Sequence, residues 1–350
     1  MKRFISVMLV MIMMLLMLTA CGETTETAAP AESPAEKTEE VKAEPAKEPR
    51  TFIVATGGSS KASPIGAGAD VFAAKIEEYS GGLLRADVYY DTQLGSTQDL
   101  VDGIQQGTID FTEAGNTYYS AYVPELQAIE LPFMFENYDQ AREVLAGEPL
   151  TYIQEQFEGT GIKILAFWEL GFRHLTNDER PVHSIDDVDG LKIRTLSSPI
   201  QVAAWEAFGA VPTPIDFSEL YSSLQQRVVV GQENPLSEIV SKKFYEIQKY
   251  ITLTGHVYSP GPWAVSEATW NSLTEQEQEW VLMATADATA AMFAANDELN
   301  ANAIAEMEAY GCEVDQSPEL EGFQTTAQSV YSMFTDDYGS AFLDLLMASK

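Results

Sequence analysis

Residues 171–199 read "GFRHLTNDERPVHSIDDVDGLKIRTLSSP", and two short strand patterns in this stretch each carry an arginine. In "GLKIRT", residues 190–195, apolar and charged side chains alternate with the period of two that is typical of a half-buried strand. Arg194 stands almost at the end of this strand, before a Ser-Ser-Pro break, and Arg173 stands in the strand "FRHLTN". The simplest interpretation of Arg194 is a residue on a solvated strand face, but the rest of the chain favours a functional role for it.

Strands and helices alternate upstream of this stretch. "TFIVAT" (51–56), "LRADVYY" (84–90) and "TIDFTE" (108–113) have the composition of strands. Helical spacing runs from Ile65 to Tyr79, and Ser96 with Asp99 resembles the capping box of a second helix. This β-α-β-α-β order predicts a parallel sheet covered by helices.

A second α/β series follows, which suggests two lobes. Its predicted strands are "GIKILAFW", "FRHLTN", "LKIRT", "GAVPTPI", "VVVGQEN", "YITLTGH" and "GPWAVS". Thr274 with Glu277 resembles a capping box that opens a long helix through Ala309. The last helix is predicted from Val330 to Met347.

The first 50 residues differ from the rest in composition. Lys2 and Arg3 precede a wholly apolar run, residues 7–18, which is too short to span a membrane and is typical of a signal-peptide core. The run ends in "LTAC", which resembles a bacterial lipoprotein signal and predicts a signal peptide over residues 1–20 and lipidation at Cys21. The alternatives are an ordinary secretory signal with an incidental cysteine and an uncleaved anchor helix. Residues 21–50 are rich in Glu, Ala, Thr and Pro and predict a disordered tether.

The chain is strongly acidic, with 53 Asp and Glu against 20 Lys and Arg and a net charge of −33. This charge argues against nucleic acid as a partner, because no excess of cations neutralises phosphates, and against adsorption to anionic lipid. A small anionic ligand would be repelled at long range. An anion site therefore needs a local group of positive donors.

The sequence lacks the usual motifs of catalysis and of metal or cofactor binding. Its three histidines have no metal-ligand spacing, and no Walker loop, G-x-S-x-G elbow or G-x-G-x-x-G turn occurs. Only two cysteines, Cys21 and Cys312, are present, so cysteines cannot form a metal site. We therefore expect no enzymatic activity, no metal and no cofactor.

The predicted strand ends carry the side chains that an organic-acid site requires. Ligands of open α/β sheets bind at the carboxyl ends of strands. These ends carry Glu113, Asn116, Trp168, Arg173, Arg194 and Asn234. A guanidinium can engage both oxygens of a carboxylate, an amide can hydrogen-bond a hydroxyl or the second oxygen, and an aromatic ring excludes water. The pattern predicts a site for a carboxylate.

The block at 171–199, together with "FGAVPTPIDFSELYSSLQQRVVVGQENP" (208–235), resembles the signature region of the substrate-binding proteins of tripartite ATP-independent periplasmic (TRAP) transporters. "YDTQLGSTQDLVDGIQQGTIDF", "PELQAIELPFMF" and "YEIQKYITLTGHVY" also fit that family, so the resemblance covers about residues 52–350. It implies an α/β, two-lobed periplasmic-binding-protein fold with a hinge near 168–172 and 255–260 and a long lobe-spanning helix. Lobe I would comprise residues 51–170 with about 259–300, and lobe II residues 171–258 with about 301–350.

The resemblance also implies roles for individual residues. Arg194 is similar to the family's main carboxylate anchor, and Arg173 resembles its second cationic contact, with a salt bridge to an acid such as Glu179 as the alternative. Asn234 is similar to the amide that hydrogen-bonds the ligand, with a turn-forming role before Pro235 as the alternative. Phe217 is similar to the aromatic ring that packs against the ligand, with core packing as the alternative.

Two further residues complete the predicted ligand contacts. The resemblance implies that Glu113 contacts ligand hydroxyls, with an exposed strand end as the alternative. Trp168 is expected to form an aromatic wall, with core packing as its alternative. Thr195-Leu196, Arg227 and Val230 depart from the family pattern, so the identity of the ligand stays open.

The sequence therefore predicts an extracytoplasmic, lipid-anchored receptor that binds a small organic acid, either a C4-dicarboxylate or a sugar acid. The expected partners are this ligand, the membrane through Cys21, and the permease subunits of a TRAP transporter, and we expect a monomer. One alternative is a lipid-anchored sensor or a binding protein for another class of transporter. The others are a secreted hydrolase and a lipoprotein scaffold.

Overall fold

A computed structural model describes residues 48–350 of the chain. The predicted signal peptide (1–20), Cys21 and nearly all of the predicted tether lie outside the described residues. Nine strands form one mixed sheet within the described part. They are β1 (Arg50–Thr56), β2 (Leu84–Tyr89), β3 (Phe111–Glu113), β4 (Ile162–Asn177), β5 (Lys192–Thr195), β6 (Val211–Pro214), β7 (Gly231–Pro235), β8 (Tyr250–Ser266) and β9 (Glu313–Asp315).

The same residues contain twelve α-helices. They are α1 (Pro64–Tyr79), α2 (Thr97–Gln106), α3 (Asn116–Tyr119), α4 (Tyr138–Leu145), α5 (Glu148–Gln156), α6 (Pro199–Ala207), α7 (Leu220–Gln225), α8 (Leu236–Ser241), α9 (Glu267–Ser272), α10 (Glu275–Tyr310), α11 (Glu321–Tyr338) and α12 (Ala341–Ala348). None of the helices in residues 48–350 is both long enough and apolar enough to cross a membrane.

The first half of the chain forms the parallel β-α-β-α-β unit that the sequence predicts. β1 pairs in parallel with β2 on one side and with β3 on the other. The capping box of Ser96 and Asp99 at the start of α2 is present. β3 is shorter than predicted, because the amides of Thr108 and Ile109 donate to Gly103 O and close the helix in place of pairing with β1.

Two long antiparallel strands join the two halves of the sheet. β4 pairs with β8 from Ile162 opposite Ser266 to Asn177 opposite Tyr250. The sequence predicts two strands in place of each, with breaks near the glycines. The chain bends without leaving the sheet because Gly171 takes a φ of +117° and the pairing shifts register between Glu169 and Gly171.

The order across the sheet is β2-β1-β3-β8-β4-β7-β5-β6, and β9 pairs with β8. β5 lies between β6 and β7 and is parallel to both. Each half of the sheet therefore has parallel strands, and β8 and β4 pass between the halves.

The helix α10 packs against both halves. The predicted capping box of Thr274 and Glu277 is present, and Gly311 ends the helix in the left-handed conformation. The first part of α10, including Ala288 and Met292, belongs to the apolar core beneath β1, β2, β3 and α1, whereas Ala303 and Met307 belong to the core around α7 and α8. The predicted long helix is confirmed. The prediction of a single last helix is wrong, because the helix ends before Gly339, whose φ is +80°, and the chain forms two helices, α11 and α12.

Candidate ligand-binding site

Arg194 is buried inside the sheet half that contains β5. Its Cα lies opposite Thr213 of β6 and Gln232 of β7, and its exposed fraction is 0%. Nε donates to the carbonyl oxygen of Ile215 at 2.8 Å, but Nη1 and Nη2 have no hydrogen-bond partner among the described residues. Burial lowers the pKa of Arg194 to about 10, an effect that Glu233 opposes. The guanidinium remains charged at neutral pH, so its two free nitrogens are strong unfilled donors.

Two aromatic residues flank this guanidinium. Arg194 Cζ lies 5.8 Å from the centroid of the Phe217 ring, within the range of a cation–π contact. Phe217 begins a short 3₁₀ turn whose N-cap, Asp216, accepts from the amide of Ser218. Burial raises the pKa of Tyr118, and the positive charge of Arg194 partly offsets this. Phe217 and Tyr118 exclude water around the charge, which strengthens any ion pair formed there.

Arg173 is also buried, but its charge is already paired. Its Nε donates to Glu233 Oε2 at 2.5 Å, and its Nη2 donates to Glu233 Oε1 at 2.8 Å and to Asn234 Oδ1 at 3.2 Å. Burial alone would raise the pKa of Glu233, but Arg173 and His256 outweigh it and lower that pKa to about 2. The ion-pair partner is Glu233 and not the predicted Glu179, which pairs with Arg180.

A small cavity brings three of the six predicted ligand contacts together, namely Arg173, Phe217 and Asn234. It lies between the loops that follow β1 and β3 on one side and residues after β5 and β7 on the other. Its lining comprises Gly57, Thr97, Gly115, Tyr118, Leu170, Arg173, Leu196, Phe217, Asn234, Glu238 and Ser259. Arg194 stands directly behind this lining, beside Phe217 and Tyr118.

A second, larger space shares two lining residues with the cavity and is called the outer groove below. Tyr118 and Leu196 line both spaces. The other lining residues of the outer groove are Gln98, Thr117, Ser120, Ala121, Pro124, Gln127, Ser197, Pro199, Ile215, Asp216 and Tyr338.

Glu113 ends β3 and is buried, and it is not among the residues that line the cavity. Its carboxyl group packs so closely on Gly261 that a Cβ at that position would lie 2.3 Å from Oε1. Neither carboxyl oxygen has a well-formed hydrogen bond among the described residues. Burial and the nearby Glu238 raise the pKa of Glu113 to about 8, and the Gly57 amide only partly opposes this.

Glu238 is the acid whose charge raises the pKa of Glu113, and it was not among the residues predicted from the sequence. It lies in α8, its Oε1 accepts from Ser59 Oγ at 3.4 Å, and its Oε2 has no partner among the described side chains and backbone. Burial raises its pKa, while Lys242 and Arg173 act in the opposite direction. The only signal in the sequence is its position four residues after Asn234.

Trp168 does not line the cavity, and its predicted contact with the ligand is corrected. Its ring is stacked on Trp263 at 4.3 Å, and its Nε1 donates to Thr289 Oγ1 at 2.8 Å. The ring is part of the core beneath α10, because alternate side chains of β4 point to opposite faces of the sheet. The carboxyl end of a strand was therefore not a sufficient criterion for a ligand contact.

The described residues hold no cluster of three or more His, Cys, Asp or Glu side chains with the geometry of a metal site.

A family model described as "Bacterial extracellular solute-binding protein, family 7" (DctP) matches residues 56–337. The chain belongs to this family. Its members are binding proteins, and the family is extracytoplasmic.

One curated relative and two solved TRAP solute-binding proteins are similar to this DctP-family chain. A solute-binding protein of Verminephrobacter eiseniae is 35% identical over 285 residues, which cover 81% of this chain and 85% of the relative. The crystal structure of a TRAP periplasmic solute-binding protein from Polaromonas sp. JS666, bound to D-erythronate, matches with a TM-score of 0.81 and 31% identity, covering 85% of this chain and 97% of the other. A TRAP protein from Sulfurospirillum deleyianum with bound succinate matches with a TM-score of 0.80 and 29% identity, covering 86% and 99%.

These matches confirm the predicted fold class and family. The α/β sheet of this DctP-family chain, with its long helix, has the architecture of the two-lobed TRAP periplasmic binding proteins.

Proposed function

We propose that this protein is an extracytoplasmic receptor that binds a small organic acid anion through Arg194 and delivers it to a TRAP transporter. One observation carries the proposal: Arg194 is fully buried and charged, and no described residue accepts from Nη1 or Nη2. A buried donor without a partner costs about 1–3 kcal/mol, and more when it is charged. A carboxylate would satisfy both nitrogens in the bidentate geometry that suits a guanidinium.

Arg173, Asn234 and Phe217 have supporting roles at the ligand in this proposal. The charge of Arg173 is committed to Glu233, but its Nη1 makes only a 3.4 Å contact to Ser259 Oγ. This nitrogen is therefore available as a further donor to the ligand. Phe217 covers the carboxylate and excludes water.

Binding is proposed to close two lobes around the ligand. Lobe I would comprise residues 51–170 with about 259–300, and lobe II residues 171–258 with about 301–350. The hinge would lie in β4 near 168–172 and in β8 near 255–260, where the pairing shifts register between Glu169 and Gly171 and between Arg173 and Leu175. A few residues that absorb changes in φ and ψ are sufficient for such a motion.

The surroundings of the receptor are part of the same proposal. The sequence "LTAC" at residues 18–21 supports a lipid anchor at Cys21, which would hold the protein at the membrane by a tether that ends where β1 begins. We propose that the protein acts as a monomer and leaves its ligand chemically unchanged. The loaded protein would then dock on the permease subunits.

A thermal-shift screen over organic acids, followed by calorimetric titration, tests this function. A ligand at 100 times its Kd adds about 2.7 kcal/mol to the free energy of unfolding. We expect at least one organic acid to raise the melting temperature and to be recovered unchanged. A screen in which no organic acid binds would reject the proposed function, and a chemically altered ligand would favour a hydrolase.

A further inference from the structure

An ion pair joins two residues that the proposed function assigns to different lobes. Asp91 follows β2, in the proposed lobe I, and Lys242 follows α8, in the proposed lobe II. Lys242 Nζ donates to Asp91 Oδ1 at 2.8 Å. The side chain of Lys242 is 24% exposed and that of Asp91 is 49% exposed, so salt in the solvent can screen the pair. This ion pair is called the latch below.

Two neighbouring contacts cross between the same parts of the chain. Ser59 Oγ donates to Glu238 Oε1 of α8 at 3.4 Å. Gly58 lies directly against Phe217, because a Cβ at Gly58 would stand 3.1 Å from Cδ1 of that ring. Phe217 lines the cavity and also a groove beside it, separate from the outer groove, which is lined by both residues of the latch. Separation of the two lobes would therefore break the latch and both of these contacts together.

The loop that carries Asp91 has a strained but well-supported backbone. Asp91 and Thr92 have φ values of +50° and +57°, a left-handed conformation that is uncommon for residues other than glycine and most unusual for a β-branched one. The amide of Asp91 donates to Ser59 O at 3.2 Å, and the hydroxyl of Tyr90 donates to Asp70 in α1. Such strain persists only where the surrounding structure over-determines it. The carboxylate of Asp91 is thus held in place at the cleft by its backbone.

Lys242 is held in place on the other side. Its Nζ lies 5.9 Å from the centroid of the Phe217 ring, within the range of a cation–π contact. The next residue, Lys243, pairs instead with Glu246 at 3.1 Å, inside the proposed lobe II. Two adjacent lysines therefore differ in one respect that matters here, because one ion pair crosses between the lobes and the other does not.

We infer that the latch holds part of the ligand-free protein in the closed form and so reduces the cost of closure when a ligand binds. The inference rests on the two-lobe closure of the proposed function. A ligand that binds the closed form gains affinity in proportion to the population of that form. A solvated ion pair changes an equilibrium by no more than about fivefold, so we expect the latch to raise the closed-to-open ratio by about two- to fivefold. An effect of this size still allows the lobes to reopen and release the ligand.

Spin labels measure closure without any ligand. Glu78→Cys on α1 and Gln226→Cys after α7 place labels at exposed positions of the two proposed lobes, in a full chain whose Cys21 and Cys312 are replaced by Ala. Double electron–electron resonance then gives the distribution of distances between the labels. We expect two distances in the ligand-free parent, one of which matches the closed structure.

Asp91→Asn and Lys242→Met each remove one charge of the latch. Asn tolerates the left-handed backbone at this position, and Met keeps an unbranched stem beside the Phe217 ring. Each should lower the closed-to-open ratio by about two- to fivefold, and the double variant should lower it no further, because either change alone already breaks the pair. Potassium chloride at 1 M should have the same effect on the parent and little on the variants. Lys243→Met is the matched control and should leave the ratio unchanged.

The outcomes separate the latch from the receptor function. Equal closed-to-open ratios in the parent and in both single variants would overturn the inference, and so would additive effects of the two substitutions or a parent without a closed population. One distance in every variant, which no organic acid shortens, would overturn the two-lobe closure as well. Binding of an organic acid in the thermal-shift screen would leave the receptor function intact in each of these cases. Melting temperatures establish that every variant is folded.

Discussion

Replacing Arg194 by Met should stabilise the ligand-free protein while it abolishes binding. Burial lowers the pKa of Arg194 from its ordinary value to about 10, which corresponds to about 3 kcal/mol of destabilisation of the charged form at neutral pH. Loss of the hydrogen bond to the Ile215 carbonyl offsets about 1 kcal/mol of the gain. The net gain of about 2 kcal/mol should raise the melting temperature by roughly 3 °C, because a body of about 300 residues shifts by roughly 1.5 °C per kcal/mol.

The same substitution should weaken ligand binding by at least about a hundredfold. Removing one partner of a buried ion pair costs about 3–5 kcal/mol, and each 1.4 kcal/mol is about tenfold in Kd. Arg194→Lys should recover only part of the affinity, because an ammonium lacks the planar pair of donors. Arg85→Ala is the control, since Arg85 is 53% exposed and pairs with Glu77 on the surface.

Differential scanning calorimetry without ligand and titration calorimetry with the best ligand measure the two effects. A variant Arg194→Met that melts below the parent and still binds with the parental Kd would refute the reasoning. It would mean that the guanidinium is a structural group and that the carboxylate is held elsewhere.

Three further predictions concern other parts of the molecule. The folded-state pKa of Glu113 is raised from 4.5 to about 8, so the free energy of unfolding should fall as pH rises between these values. The contribution of this carboxyl group to the fall should be no more than about 5 kcal/mol, and Glu113→Gln should flatten this part of the stability curve. Arg142→Ala should destabilise the fold by about 3 kcal/mol in urea unfolding, because it unpairs the fully buried Glu169, and should leave the Kd unchanged. Cys21→Ala should abolish partitioning of the processed protein into detergent, and normal lipidated protein from this variant would disprove the anchor.

The fold could be predicted to a large extent, because its local signals agree with its tertiary structure. The capping boxes at Ser96 and Thr274 set the starts of two helices, and alternation of strands and helices gave the parallel unit. The continuity of β4 and β8 could not be predicted, since glycines that normally end strands are accommodated by bulges between two long paired strands. The lobe boundaries remain predictions.

The site could be predicted only in part. Arg173, Arg194, Phe217 and Asn234 lie in sequence motifs, and the structure gathers them around one cavity. Which of the two arginines is paired with an acid depends on contacts between β4 and β7, and sequence spacing does not reveal these contacts. For the same reason Glu238 was missed, and Trp168 was assigned to the ligand although it stacks in the core.

A crystal structure of the protein with its tightest-binding organic acid tests the central claim most directly. We expect the ligand carboxylate to accept from both Nη1 and Nη2 of Arg194, at about 2.7–2.9 Å, beneath the Phe217 ring. A carboxylate bound away from Arg194, with both of these nitrogens still lacking an acceptor in the complex, would contradict the account.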